Sequence, residues 1–228
     1  MNETHPISIA IDGPSGAGKS TLARRLATTL RFLYVDTGAI YRTIAYYTFA
    51  NHLDPADEAA VLAALPNIRI ELRYDAEGLQ RMILNGEDVT DAIRLPQISQ
   101  YASVVSAYPG VRAFLLEMQR DFARKGSVIM DGRDIGTVVL PHADVKIFLT
   151  ASPEARARRR CLELEQRGTP EPFDQVLSEI QQRDWDDSHR ETAPLRQAED
   201  AVVVDTTELN FEESLAALLA VVRGKAAL

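Results

Sequence analysis

Apolar and polar positions follow two periods along this chain, and the changes of period mark out its elements. Ile7 to Ile11 is a short apolar run broken at once by Asp12-Gly13-Pro14-Ser15-Gly16, after which Leu22, Leu26 and Leu30 recur at helical spacing. A run of that length with glycines behind it reads as a buried strand, and the leucines read as the inward face of a helix. Phe32 to Val35 gives a second short strand ending at Asp36-Thr37-Gly38, with a helix expected from about Ala39 to Ala50. Strand, helix, strand, helix opens a parallel sheet, because parallel neighbours need a crossover and a helix supplies it.

The period then changes. Ile68, Ile70 and Leu72 alternate with polar residues, Asp75 to Gly78 supplies a turn, and Met82-Ile83-Leu84 runs into Asn85-Gly86. Short antiparallel strands with a tight hairpin fit this pattern. A small β-rich insertion is therefore expected, running over about 67–104 with polar helical segments after Pro96, and set in a core of about 1–66 and 105–228. Val111, Phe114, Leu115, Met118 and Phe122 mark an amphipathic helix before the strand Ser127 to Met130. The strand Val145 to Leu149 precedes an arginine-dense helix from about Pro153 to Arg167, which Gly168-Thr169-Pro170 breaks. A long helix begins near Phe173, a last strand covers Ala201 to Val204, and a helix from Phe211 to Val222 closes the chain. The expected class is α/β, a parallel sheet flanked by helices.

Composition narrows the function classes. At 228 residues the chain suits one core with an insertion. No segment approaches the roughly 20 apolar residues that span a bilayer, and Met1 to Pro6 lacks the pattern of a secretory signal, so a cytoplasmic protein with no membrane partner is expected. The net charge of −8 argues against a nucleic-acid partner. Cys161 is the single cysteine, too few for a disulfide or a structural zinc site, and reads as an apolar filler. Of 25 basic residues only Lys19, Lys125, Lys146 and Lys225 are lysines, leaving 21 arginines. Composition bias accounts for such a ratio, and so does bidentate recognition of phosphates, leaving position to decide.

Gly13-Pro14-Ser15-Gly16-Ala17-Gly18-Lys19-Ser20 satisfies the G-x-x-x-x-G-K-[ST] pattern between a predicted strand and a predicted helix, with Thr21 following. Glycines there let backbone N–H groups turn around a phosphate, Lys19 reaches the β and γ oxygens of ATP, and the Ser20 hydroxyl ligates Mg²⁺. The pattern is shared by switches, motors and small-molecule kinases. No Asn-Lys-x-Asp guanine-reading tetrad is present, which disfavours a GTPase.

Three further groups fall where α/β proteins bind ligands, at the carboxyl ends of the strands. Asp36-Thr37-Gly38-Ala39-Ile40-Tyr41-Arg42 follows the second strand, and Asp131-Gly132-Arg133-Asp134-Ile135-Gly136-Thr137 follows the strand that ends at Met130. In the helix after Phe173, the stripe Phe173, Val176, Leu177 and Ile180 extends to Arg183, Asp184 and Asp187, so Arg183, Asp187 and Arg190 are expected on one face. They form either an ion-pair ladder or the wall of a polar cleft. Arg156, Arg159 and Arg160 likewise share a face, where like charges repel unless they share an anion such as a triphosphate or pair with Glu163 and Glu165.

Taken together and in this order, the four groups resemble the bacterial cytidylate kinases, a family of nucleoside monophosphate kinases, over almost the whole chain. The resemblance implies a P-loop NTPase fold whose insertion binds the monophosphate and whose arginine-bearing lid covers about 152–170. It implies transfer from ATP, with Mg²⁺, to CMP or dCMP by a monomeric enzyme. By motif position, Thr37, Tyr41, Arg42, Ser103, Arg112, Asp131, Arg133 and Asp134 would hold the monophosphate or base, with Arg183 and Asp187 at the sugar. Arg190 would lie at the phosphates, and Lys19, Arg133, Asp134 and Arg190 would carry catalysis. Arg156, Arg159 and Arg160 join the loop as ATP ligands. Thr37 stands where the family commonly has serine, and Ser20 where glycine often follows the lysine. The rival readings are another P-loop kinase, acting on UMP or AMP, and an ATP-binding regulatory module.

Overall fold

The computed structural model describes residues 6–166 and 168–226. Eight strands and eight α-helices follow one another along it: β1 (Ser8–Asp12), α1 (Lys19–Leu30), β2 (Leu33–Asp36), α2 (Thr37–Ala50), α3 (Glu58–Ala64), β3 (Ile70–Tyr74), β4 (Gln80–Leu84), β5 (Glu87–Asp88), α4 (Pro96–Val105), α5 (Pro109–Lys125), β6 (Val128–Gly132), β7 (Val145–Thr150), α6 (Pro153–Gln166), α7 (Phe173–His189), β8 (Val202–Asp205) and α8 (Phe211–Lys225). Helix α6 ends at Gln166, and the expected end at Arg167 lies outside the described residues.

A five-stranded sheet has the order β2-β6-β1-β7-β8. β1 is parallel to both neighbours, with Ile9 opposite Ile129 on one side and Val145 on the other. Ile9, Ala10 and Ile11 are wholly buried, which is why the strand reads as an unbroken apolar run rather than an alternating one. Leu22, Ala23, Leu26 and Ala27 of α1 and Leu215, Leu218 and Val222 of α8 close over Ile9, Ile11, Ile129, Ile147 and Leu149 of the sheet. That stripe of α1 is the one read from the leucine spacing. The chain leaves β1 toward β2 on one side and reaches β7 on the other only after β6, so the crossovers part at β1, the place where open α/β sheets bind ligands.

The chain forms two compact units, one running up to Tyr34 and again from Ala123 onward, the other Val35–Phe122. The second is wider than the insertion expected over 67–104, because α2 packs on α4 and on β4 and so travels with them. Within it β3, β4 and β5 form an antiparallel sheet with Leu72 opposite Met82. Asn85 and Gly86 both take positive φ, 50° and 94°, as a two-residue hairpin turn requires. Helix α3, capped by the Asp57 side chain on Ala60 N at 3.0 Å, was not anticipated, since its seven residues bury only Val61. A π-helical turn at Ile135–Val139 was not anticipated either. No helix among the described residues is long and apolar enough to cross a membrane.

Candidate functional site

The loop between β1 and α1 is held close to β7. A Cβ on Gly13 would lie 1.9 Å from Leu149 O, and Gly13 has φ of 150°, so no other residue fits the turn. At its far end Lys19 is 6% exposed, and its Nζ donates to Pro14 O at 2.7 Å. Burial pushes the Lys19 pKa down to about 7, and Arg133 acts in the same direction against Asp131, Asp187 and Asp12. The lysine is thus drawn over its own loop among three carboxylates and a guanidinium.

The neighbouring hydroxyl reaches the end of β6. Ser20 Oγ donates to Asp131 Oδ2 at 2.8 Å, and Tyr34 Oη donates to Asp131 Oδ1 at 2.9 Å. Asp131, expected among the CMP ligands, therefore has one oxygen on the hydroxyl that follows the loop lysine and the other on Tyr34 of β2. A P-loop hydroxyl beside a carboxylate from a neighbouring strand is a hard-oxygen pair that fits Mg²⁺, which keeps most of its ligands as phosphate and water. Among the described residues no group of three or more His, Cys, Asp or Glu side chains could hold a metal ion.

Asp12 was missed in the sequence, where it is only the residue before the first glycine. Its buried carboxylate accepts from Ile135 N at 2.8 Å and Gly136 N at 2.7 Å, fastening the segment that carries Arg133 and Asp134 to the base of the phosphate loop. Burial raises its pKa to about 6 against these two amides, helped by Asp134. Partners 123 and 124 residues away leave no local signal. Arg133 Nε donates to Asp187 Oδ2 at 2.6 Å. Burial pushes Asp187 up, but Arg133, Arg183 and Arg190 outweigh it and hold the carboxyl below its ordinary value.

The expected face of Arg183, Asp187 and Arg190 needs a correction. Helix α7 ends at His189, and Arg190 has extended backbone, φ −63° and ψ 142°, with its Nε on Ala193 O at 2.8 Å. Arg190 reaches Asp187 by its charge from beyond the helix, not from the next turn. The trio on α6 is also dispersed. Arg156 pairs with Asp184, Arg159 bonds Thr206 through O and Oγ1, and Arg160 pairs with Glu163 at 3.2 Å. Separate partners relieve the repulsion that suggested a shared anion, and Arg156 is engaged within the fold. A cleft of about 460 Å³ beside the loop is lined by Pro14, Thr150, Ser152, Asp205 and Thr207.

A second group belongs to the other unit. Asp36 caps α2 by accepting from Ala39 N at 2.8 Å, and its other oxygen accepts from Arg42 Nη2 at 3.0 Å. A Cβ on Gly38 would crowd both partners, at 3.1 Å from Asp36 Oδ1 and 3.2 Å from Arg42 Nη1, which accounts for the glycine between them. Thr37 is buried, and Arg112, only 8% exposed, lies over the Tyr41 ring at 5.4 Å and donates to Ser106 O at 3.1 Å. Ser103 is on α4 and exposed.

Comparison with known proteins shows the family. Cytidylate kinases of Carboxydothermus hydrogenoformans and Caldicellulosiruptor bescii are 51% and 49% identical to this chain over 217 and 213 residues, covering 95% and 93% of it and 97% and 94% of their own lengths. An uncharacterized protein from Eubacterium ventriosum, whose crystal structure covers 94% of this chain and 96% of its own, superposes with a TM-score of 0.51 at 11% identity, a likeness of fold alone. The family model for cytidylate kinase matches residues 9–224, from the first buried strand to the last helix, and the chain belongs to the cytidylate kinase family.

Proposed function

We propose that this chain transfers the γ-phosphoryl group of ATP to CMP and dCMP, giving CDP, dCDP and ADP. The observation that carries the reading is the meeting of two charge systems at the end of the parallel sheet. Lys19 of the phosphate loop is close enough to Arg133 and Asp187 for each to bear on its ionisation, so groups suited to the donor and to the acceptor share one field.

The acceptor phosphate is already ionised at pH 7. No general base is needed, and the protein's work is alignment and charge neutralisation. Backbone N–H groups of Gly13 to Thr21 would cradle the β-phosphate, with Lys19 turning from Pro14 O to the transferring group. Arg159 and Arg160 would serve the donor, with Arg156 bracing the loop from behind, and the nucleoside end would occupy the cleft beside Pro14. Ser20 and Asp131 would hold Mg²⁺, which when bound would supply charge neutralisation to the phosphates of ATP. Thr37, Tyr41, Arg42, Ser103, Arg112, Arg133 and Asp134 are assigned to the monophosphate and base, Arg183 and Asp187 to the sugar, and Arg190 to the phosphates. Residues of about 152–170 would act as the lid and β3–β5 as part of the monophosphate-binding insertion, their closure excluding water.

A panel of acceptors tests the assignment, with ADP formation followed for CMP, dCMP, UMP, AMP, GMP and shikimate in the presence of ATP and Mg²⁺. CMP and dCMP are expected to dominate. Preference for another nucleotide would overturn the base assignment, and no acceptor-dependent ADP at all would overturn the reaction.

A further inference from the structure

Asp184 is absent from the groups assigned to ATP or CMP, yet one side chain connects it to the phosphate loop. Its two carboxylate oxygens accept from Nη1 and Nη2 of Arg156 at 2.9 and 2.5 Å. The same guanidinium donates through Nη1 to Ser15 O and through Nε to Ala151 O, both at 2.9 Å. Arg156 is 2% exposed, and a Cβ added to Gly16 would lie 3.4 Å from Arg156 Cβ, so the loop rests against its stem. A guanidinium buried to this degree needs a counter-charge, and a bidentate carboxylate also fixes the plane of its fork.

The consequence lies in the peptide between Ser15 and Gly16. A trans peptide holds C=O and N–H on opposite sides, so fixing Ser15 O toward Arg156 aims the Gly16 N–H away from it. We propose that Asp184 is a positioning residue for the phosphates of ATP, acting through Arg156 to set the direction of the Gly16 N–H in the phosphate loop. Three residues along the same helix, Asp187 receives Arg133. One turn of α7 therefore carries the carboxylate that orients the phosphate loop and the one that orients the Arg133 guanidinium.

This inference rests on the function proposed above, and its test separates the two. Asp184→Asn, Asp184→Glu, Arg156→Lys and the double variant Asp184→Asn/Arg156→Lys are compared with the wild type for kcat, KM for ATP, KM for CMP and Tm, with ATP binding also measured calorimetrically in the absence of CMP. Losing one charge-assisted contact to the buried Arg156 should weaken ATP binding and raise KM for ATP by roughly tenfold in Asp184→Asn. KM for CMP should change much less. Asp184→Glu should recover part of the loss, and Arg156→Lys, whose single amine cannot serve Asp184, Ser15 and Ala151 together, should match Asp184→Asn. The double variant should be little worse than either single one, because both break the same connection. Unchanged ATP affinity and KM in either folded single variant, with only a lower Tm, would overturn the proposal and leave the pair a structural brace. If the wild type transfers no phosphoryl group to CMP, the functional reading fails, while calorimetric ATP binding still decides the role of Asp184.

Discussion

At the scale of single residues, the state of Lys19 makes the sharpest demand. Its pKa of about 7 in the protein, against 10.5 ordinarily, means that the folded chain binds fewer protons than the unfolded chain between these values. Folding stability from this group therefore rises as pH increases through that window. Bound phosphates favour the charged lysine, so ATP binding should take up a proton there and weaken as pH rises above about 7. Calorimetry at pH 8 in two buffers of different ionisation enthalpy should show the uptake, and Lys19→Ala should lose it. Buffer-independent heats in the wild type would count against a neutral, buried Lys19. The same variant should stay folded yet lose turnover by at least roughly 10²–10³ fold, since it removes the group proposed to act on the transferring phosphoryl. The octet at Gly13 to Ser20 was legible because its chemistry is contiguous. Asp12, Tyr34 and the engagement of Arg156 were not, because Asp12 bonds amides more than 120 residues on, Tyr34 meets Asp131 only through the sheet, and the partner of Arg156 is 28 residues away.

Elements were legible where one period ran long enough. The buried β1, the stripe of α1 and the hairpin at Asn85-Gly86 all follow from local patterns. Helix α3 is too short to show a face, and the π-helical turn depends on Asp12 holding its first amides. Extending the α7 pattern to Arg190 went one residue too far, because the backbone leaves the helix after His189. At the opposite end of the chain, α8 begins with a reciprocal cap. Asn210 Oδ1 accepts from Glu213 N at 3.0 Å, and Glu213 Oε2 accepts from Asn210 N at 2.8 Å. Asn210→Ala should cost about 1 kcal/mol and lower Tm by about 2–4 °C, with turnover unchanged. A thermal melt beside a steady-state assay checks both halves, and a loss of turnover without a shift in Tm would tie the cap to catalysis.

For the whole molecule, the central claim is that phosphoryl transfer waits for its acceptor. Sequence alone could place the donor loop and order the motifs, but it could not show that residues 35–122 form a compact unit of their own, because that grouping arises from helix packing between segments far apart in the chain. A kinase built in this way should hydrolyse little ATP without CMP, since water competes for the phosphoryl group only when the site is open. The decisive measurement follows label from the γ-phosphate of ATP with and without CMP, separating CDP, ADP and inorganic phosphate. The account predicts labelled CDP and unlabelled ADP in equal amounts with CMP present and little labelled phosphate in its absence. Labelled phosphate released equally with and without CMP, and no labelled CDP, would contradict it.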